Sequence, residues 1–91
     1  MAPATKIKSL LAGELYGNRV FVELTVKPSP TASCNNNPDY TYVFDPTTPV
    51  GKVTLALLME AHASQANVYI SGMDTCTFYP GVESLGQVWV K

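Results

Sequence analysis

Hydrophobic and polar residues alternate along most of this chain, and the alternation breaks once. It is cleanest over residues 19–27. There Val20, Val22, Leu24 and Val26 fall on one side and Phe21, Glu23 and Thr25 on the other, the period of a half-buried strand. Residues 6–15 (KIKSLLAGEL) predict an earlier strand of less regular alternation, with Gly13 marking a bulge. Gly17-Asn18 suits the tight turn between these two strands, because both residues tolerate positive φ. A third strand is expected at 40–44 (YTYVF) and a fourth at 67–71 (NVYIS), with Val68 and Ile70 inward and Tyr69 outward. A fifth is expected over Glu83–Val90. It brings Val82, Val88 and Val90 to the core and turns Gln87 and Trp89 the other way.

The interruption is residues 45–65, DPTTPVGKVTLALLMEAHASQ, which predict a helix. Thr48 can accept a hydrogen bond from a free amide of the first turn, and Pro49 is pre-set for the first helical position. Val50, Val53, Leu57 and Ala61 recur at spacings of three and four and predict the buried face, widened by Thr54 and Leu58. Leu55, Ala56 and Met59 leave little of the helix polar. Such a helix is buried on more than one side or meets a partner, so Leu55 and Met59 are candidates for an oligomer interface.

Three strands, a helix and two strands define the fold class. We expect an α+β, β-rich domain, a five-stranded OB-like partly open barrel with one helix between strands 3 and 4. An open antiparallel sheet with the helix on one face is the alternative. With 91 residues there is room for one domain and one core, and a chain this short buries only about 60% of its unfolded surface. A staple or an assembly contact would therefore matter.

Cys34 and Cys76 supply the candidate staple. They flank the helix in loops rich in Asn, Pro, Ser, Asp and Thr, unlike buried structural cysteines, and a disulfide between them is expected. Two unpaired thiols in a cytosolic protein are the other possibility. Residues 27–39 (KPSPTASCNNNPD) make a long loop that Cys34 would tie down. A disulfide favours a secreted or periplasmic protein. MAPATK lacks the basic and hydrophobic regions of a signal peptide, so an exported protein would be in its mature form. No run of about 18 apolar residues occurs, so no membrane insertion is expected.

Charge narrows the partners. Charged residues are 14% of the chain and the net charge is −1, with six basic residues against seven acids. The electrostatic attraction that dominates nucleic-acid binding is missing, so no nucleic acid is expected. Two cysteines and one histidine do not make a zinc site, and no cofactor motif is present. His62 lies late in the helix, where a favourable dipole contact is commoner than base catalysis. The acids are scattered without a close pair, so no enzyme is expected. Tyr16, Tyr40, Tyr42, Tyr69, Phe78, Tyr79 and Trp89 are more rings than one small core needs. Rings stack on sugar faces and amides hold hydroxyls, which makes Tyr69, Tyr79, Trp89 and Asp74 candidate ligand contacts, with Asn35, Asn36, Asn37 and Asp39 beside them. Aromatic pairing across strands competes with that role.

In the second half, LALLMEAHASQ, ANVYISG and MDTCTFYPGVESLGQVWVK give a leucine-rich helix, a short strand, G-x-x-x-C and an aliphatic final strand. This order resembles small exported bacterial domains similar to the B subunits of AB5 toxins, particularly the subtilase cytotoxin type. The resemblance covers residues 40–91. It implies an OB-like barrel, export, a disulfide and ring-shaped assembly around glycan binding. The residues it matches, Cys34, Cys76, the helix face and the last strand, are structural, and no glycan-contacting position carries over. The leading expectation is a non-catalytic exported module binding a glycan or protein, with homo-oligomers. A structural or accessory envelope protein without a small ligand is the alternative.

Overall fold

A computed structural model of the chain describes residues 4–13, 15, 17–26 and 32–90. Its elements are β1 (Ile7–Ala12), β2 (Val20–Leu24), β3 (Tyr42–Phe44), α1 (Pro49–Ser64), β4 (Val68–Gly72) and β5 (Glu83–Val90). Glu14, Tyr16 and residues 27–31 of the expected strand ends and long loop lie outside the described residues.

The five strands form one mixed sheet in the order β1-β2-β3-β5-β4. Neighbours run antiparallel except β3 and β5, which pair in parallel through Tyr42↔Glu83 and Val43↔Ser84. A purely antiparallel sheet is therefore ruled out: the helical connection after β3 lets the chain return alongside it in the same direction. Ahead of β1, Thr5 exchanges both backbone hydrogen bonds with Val68 at 3.0 and 2.8 Å, one isolated rung joining the far ends of the sheet. Thr5 is stitched the other way as well, since its Oγ1 accepts the Val26 amide at 2.9 Å and meets Thr25 Oγ1 at 3.2 Å. Beyond that rung the sheet is not closed.

The helix begins as its sequence predicts. Thr48 caps it, its Oγ1 accepting the Gly51 amide at 2.9 Å, and Pro49 follows. It ends at Gln65, which takes the left-handed conformation (φ 55°) and donates its N–H to Ala61 O. The buried face matches the predicted one only at Leu58 and Ala61. Gly51, Leu58 and Ala61 face the sheet, whereas Val50, Val53 and Leu57 are exposed. The reason is close approach at Gly51. Any Cβ there would collide with Asp45 O and Thr48 Oγ1, so the glycine turns inward and rotates the valines out. Leu55 packs partly against the core and Met59 is exposed.

Two apolar clusters lie on opposite faces of the sheet. The main one joins Val22, Leu24, Phe44 and Ile70 to Leu58 and Ala61 of the helix. The second is built on Phe21, Val43 and Val82, with Tyr40 and Tyr79 against it. β2 is thus buried on both faces. Phe21 is 2% exposed where alternation turned it outward, and Val26 is 49% exposed where alternation turned it inward. The bulge of β1 falls at Lys8, between the Ile7↔Leu24 and Ser9↔Glu23 pairs, and not at Gly13.

Candidate functional site

Among the described residues, the outer face of β4 and β5 carries the most exposed ring, that of Trp89. Tyr69 and Trp89 are cross-strand partners with ring centroids 5.6 Å apart and planes at 41°. Ser71 and Gln87 form the next aligned pair. Residues i and i+2 share a strand face, so the four side chains make one patch of two rings, a hydroxyl and an amide. Trp89 is 54% exposed, Gln87 is exposed, and Tyr69 and Ser71 are half-buried. Strict alternation would also place Leu85 here. Instead the register shifts at Gly86, between Ser71↔Gln87 and Gly72↔Leu85, and Leu85 is delivered to the core. Glycine allows it, since a Cβ at 86 would stand 3.1 Å from Ser71 O. Ser71 and the bulge are what sequence reasoning missed; Gly86 between alternating residues was the available signal.

Tyr79 and Asp74 lie elsewhere. Tyr79 stacks edge-on against Phe21 (4.9 Å, 78°), which in turn meets Tyr40 (5.8 Å, 70°), so it belongs to the second cluster. Arg19 fixes the neighbouring segment, donating from Nε to Phe78 O at 2.8 Å with its guanidinium 5.6 Å from the Phe78 ring centroid. It also approaches Asp45 Oδ2 at 3.4 Å. The Thr47 hydroxyl and then its amide bind the same carboxylate, and with Arg19 they hold Asp45 below the ordinary carboxylate range.

Asp74 sits in the left-handed conformation (φ 58°) beside the Cys34–Cys76 disulfide, whose Cα atoms are 6.1 Å apart. Beneath this bond is Glu83, 6% exposed. Its Oε2 accepts the Asp74 amide at 3.0 Å and its Oε1 the Ala32 amide at 3.4 Å. Each donor lies two residues before a cysteine, so one carboxylate clasps both cysteine loops. Gly72 makes room for it, as a Cβ there would overlap Glu83 Oε2 and approach Tyr42. Burial, and secondarily the Glu83 charge, push the Tyr42 phenol up to about 12. On the opposite face the buried Ser84 Oγ accepts the Thr77 amide at 3.1 Å and meets the Thr77 hydroxyl at 3.1 Å. Sequence reasoning passed over Glu83; an acid directly after Val82 at the start of the last strand was the clue.

The asparagines organise the loop. Asn37 Oδ1 accepts the Asp39 and Tyr40 amides, Asn35 Oδ1 the Asn37 amide, and Asn35 Nδ2 donates to Thr41 O. Asn35 and Asn37 are therefore committed internally, and with them much of the amide capacity expected for a sugar. Thr41 Oγ1 is buried with no hydrogen-bond partner among the described residues.

A third feature is an apolar groove of about 400 Å³ between α1 and the edge of β1, lined by Leu10, Leu11, Leu55, Met59 and His62 among others. His62 Nδ1 stands 3.0 Å from Ile7 O. A carbonyl only accepts, so Nδ1 carries the proton and the imidazole pins the helix to the strand. Among the described residues no three His, Cys, Asp or Glu side chains gather as a metal site. No described helix is long and apolar enough to cross a membrane. Comparison with known proteins adds no relative: no family model, no curated protein and no solved structure matches this chain.

Proposed function

We propose that this domain is an exported, non-catalytic binding module whose ligand is a glycan held on the outer face of β4 and β5. The observation that carries this reading is the patch of Tyr69, Trp89, Ser71 and Gln87. Two tilted rings offer an apolar platform for the C–H face of a pyranose, and the Gln87 amide and Ser71 hydroxyl sit where ring hydroxyls would reach them. Export is supported by the disulfide, which persists in oxidising compartments. An OB-like, partly open barrel is supported by the strand order, the parallel β3–β5 pair, the helix between β3 and β4 and the Thr5–Val68 rung.

Trp89 is the only tryptophan, so intrinsic fluorescence reports on the patch directly. A glycan array identifies the sugar, and its titration should then perturb Trp89 emission, with Tyr69→Ala and Trp89→Ala abolishing binding while the fold is retained. An array without hits, or alanine variants that bind as the parent does, would sink the proposal.

A further inference from the structure

We infer that the apolar groove between α1 and β1 is a docking site for an extended peptide segment of another protein, one that pairs with the open edge of β1 and carries an aliphatic side chain next to an acid. This goes beyond the glycan reading and does not depend on it.

The backbone selects the kind of occupant. β1 is an outer strand of the sheet, with β2 on one side only. After the register shift between Ile7 and Ser9, the pairs from Ser9↔Glu23 to Ala12↔Val20 follow without irregularity. Among the described residues, Ser9, Leu10, Leu11 and Ala12 make no backbone hydrogen bond outside that ladder. Every second residue of such a stretch turns its N–H and C=O away from the neighbouring strand. Another extended backbone offers donors and acceptors at the same repeat. An acyl chain has none to offer, and a helix has spent its own internally.

Size and charge narrow it further. The strand from Ser9 to Ala12 spans about 13 Å, and the helix from Leu55 to His62 about 10 Å, so the open edge and the groove are of similar length. The groove is about 400 Å³ and apolar, with Leu10 and Ala12 on the strand side and Leu55, Met59 and Ala63 on the helix side. An aliphatic side chain of the docked strand fills it, as alternate side chains fill pockets where a peptide adds to a sheet edge. Lys52 stands one turn before Leu55, on the helix flank that holds Met59, at the end of the groove away from His62. It is exposed and joins no ion pair among the described residues. A cation at the rim of an apolar groove calls for a carboxylate beside the aliphatic side chain.

Selection of random heptapeptides displayed on phage against the whole chain tests this, followed by NMR titration of the synthetic winners into isotope-labelled chain. Enriched peptides should carry an aliphatic residue next to Asp or Glu and bind with a Kd on the order of 0.1 mM. The amide signals of Ser9 to Ala12 should shift, and the indole signal of Trp89 should not. Met59→Lys should weaken binding by about tenfold and Lys52→Glu by about fivefold, with circular dichroism confirming the fold of each. N-methylation of alternate peptide amides should abolish binding in one register and leave it nearly unchanged in the other. A library without enriched peptides overturns the proposal. So does a parent chain whose Ser9 to Ala12 signals move with its own concentration, which gives the edge to a second copy. Binding that tolerates methylation in both registers overturns the backbone pairing. Binding indifferent to Met59→Lys overturns the groove, and binding indifferent to Lys52→Glu overturns the acid.

Discussion

Replacing Cys34 and Cys76 together by alanine should lower the stability of this domain by about 4 kcal/mol. The figure comes from the sequence separation of 42 between the cysteines, which sets how much chain the bond closes in the unfolded state. For a 91-residue chain, net stability is expected between about 5 and 14 kcal/mol, so the bond supplies a large share of it. With an unfolding entropy of about 0.2 kcal/mol/K for this size, the loss corresponds to a drop in Tm of about 20 °C. Differential scanning calorimetry of parent and variant measures both quantities. Glu83 permits a sharper check on cause. The disulfide acts on the unfolded ensemble, whereas the Glu83 clasp exists only when folded. Glu83→Gln puts an amide group opposite a backbone N–H, two donors face to face, and should cost about 1–3 kcal/mol on its own. The two perturbations should then add. A Tm drop below about 5 °C, or a coupling above about 1 kcal/mol between them, would refute an unfolded-state origin.

Three further outcomes follow from other positions. Tyr42 ionises near 10 when unfolded and about 12 when folded, so it contributes stability that is complete below 10 and lost as pH rises towards 12. Phenolate absorbance should show a late-titrating tyrosine, and Glu83→Gln should lower its midpoint only partly, because burial is the larger cause. Gly51→Ala should destabilise despite the helix propensity of alanine, worth about 1 kcal/mol in the other direction, because its Cβ meets Asp45 O; urea unfolding decides the sign. Thr41→Val should stabilise by about 1 kcal/mol, since it removes a buried hydroxyl that no described residue satisfies, and an unchanged or lower urea midpoint would contradict this.

Local chemistry was the part of the fold written most plainly in the sequence. Thr48 and Pro49 announce the start of α1 because capping is decided within one turn. The cysteines announce their bond through the polar loops that hold them; alternation locates β2, β4 and β5 and, less regularly, β1, while an aromatic and β-branched run marks β3. What depends on the far side of the molecule was hidden. A helix apolar nearly all round carries no stripe to choose from, so Val50, Val53 and Leu57 look as buriable as Leu58 and Ala61, and only the tight contact of Gly51 decides. Phe21 reads as outward because alternation assumes a single core; the segment around Tyr79 and Val82 supplies a second. For the candidate site, Trp89 and Tyr69 were visible as outward rings. Their alignment with Gln87 and Ser71 depends on register, which a bulge at Gly86 sets.

The bulge at Lys8 has a bearing on how this protein behaves when concentrated. Among the described residues an unclosed sheet leaves part of β1 as a bare edge, and bare edges recruit strands from other molecules. Here the first half of that edge is defended. The Ile7 carbonyl is occupied by His62, the bulge breaks the regular spacing that an incoming strand would need, and Lys8 places a charge there, held 3.6 Å from Glu23. The vulnerable length shrinks to a few residues beside the apolar groove. A chain of low net charge that cannot rely on mutual repulsion to stay apart is thereby steered away from strand-by-strand polymerisation.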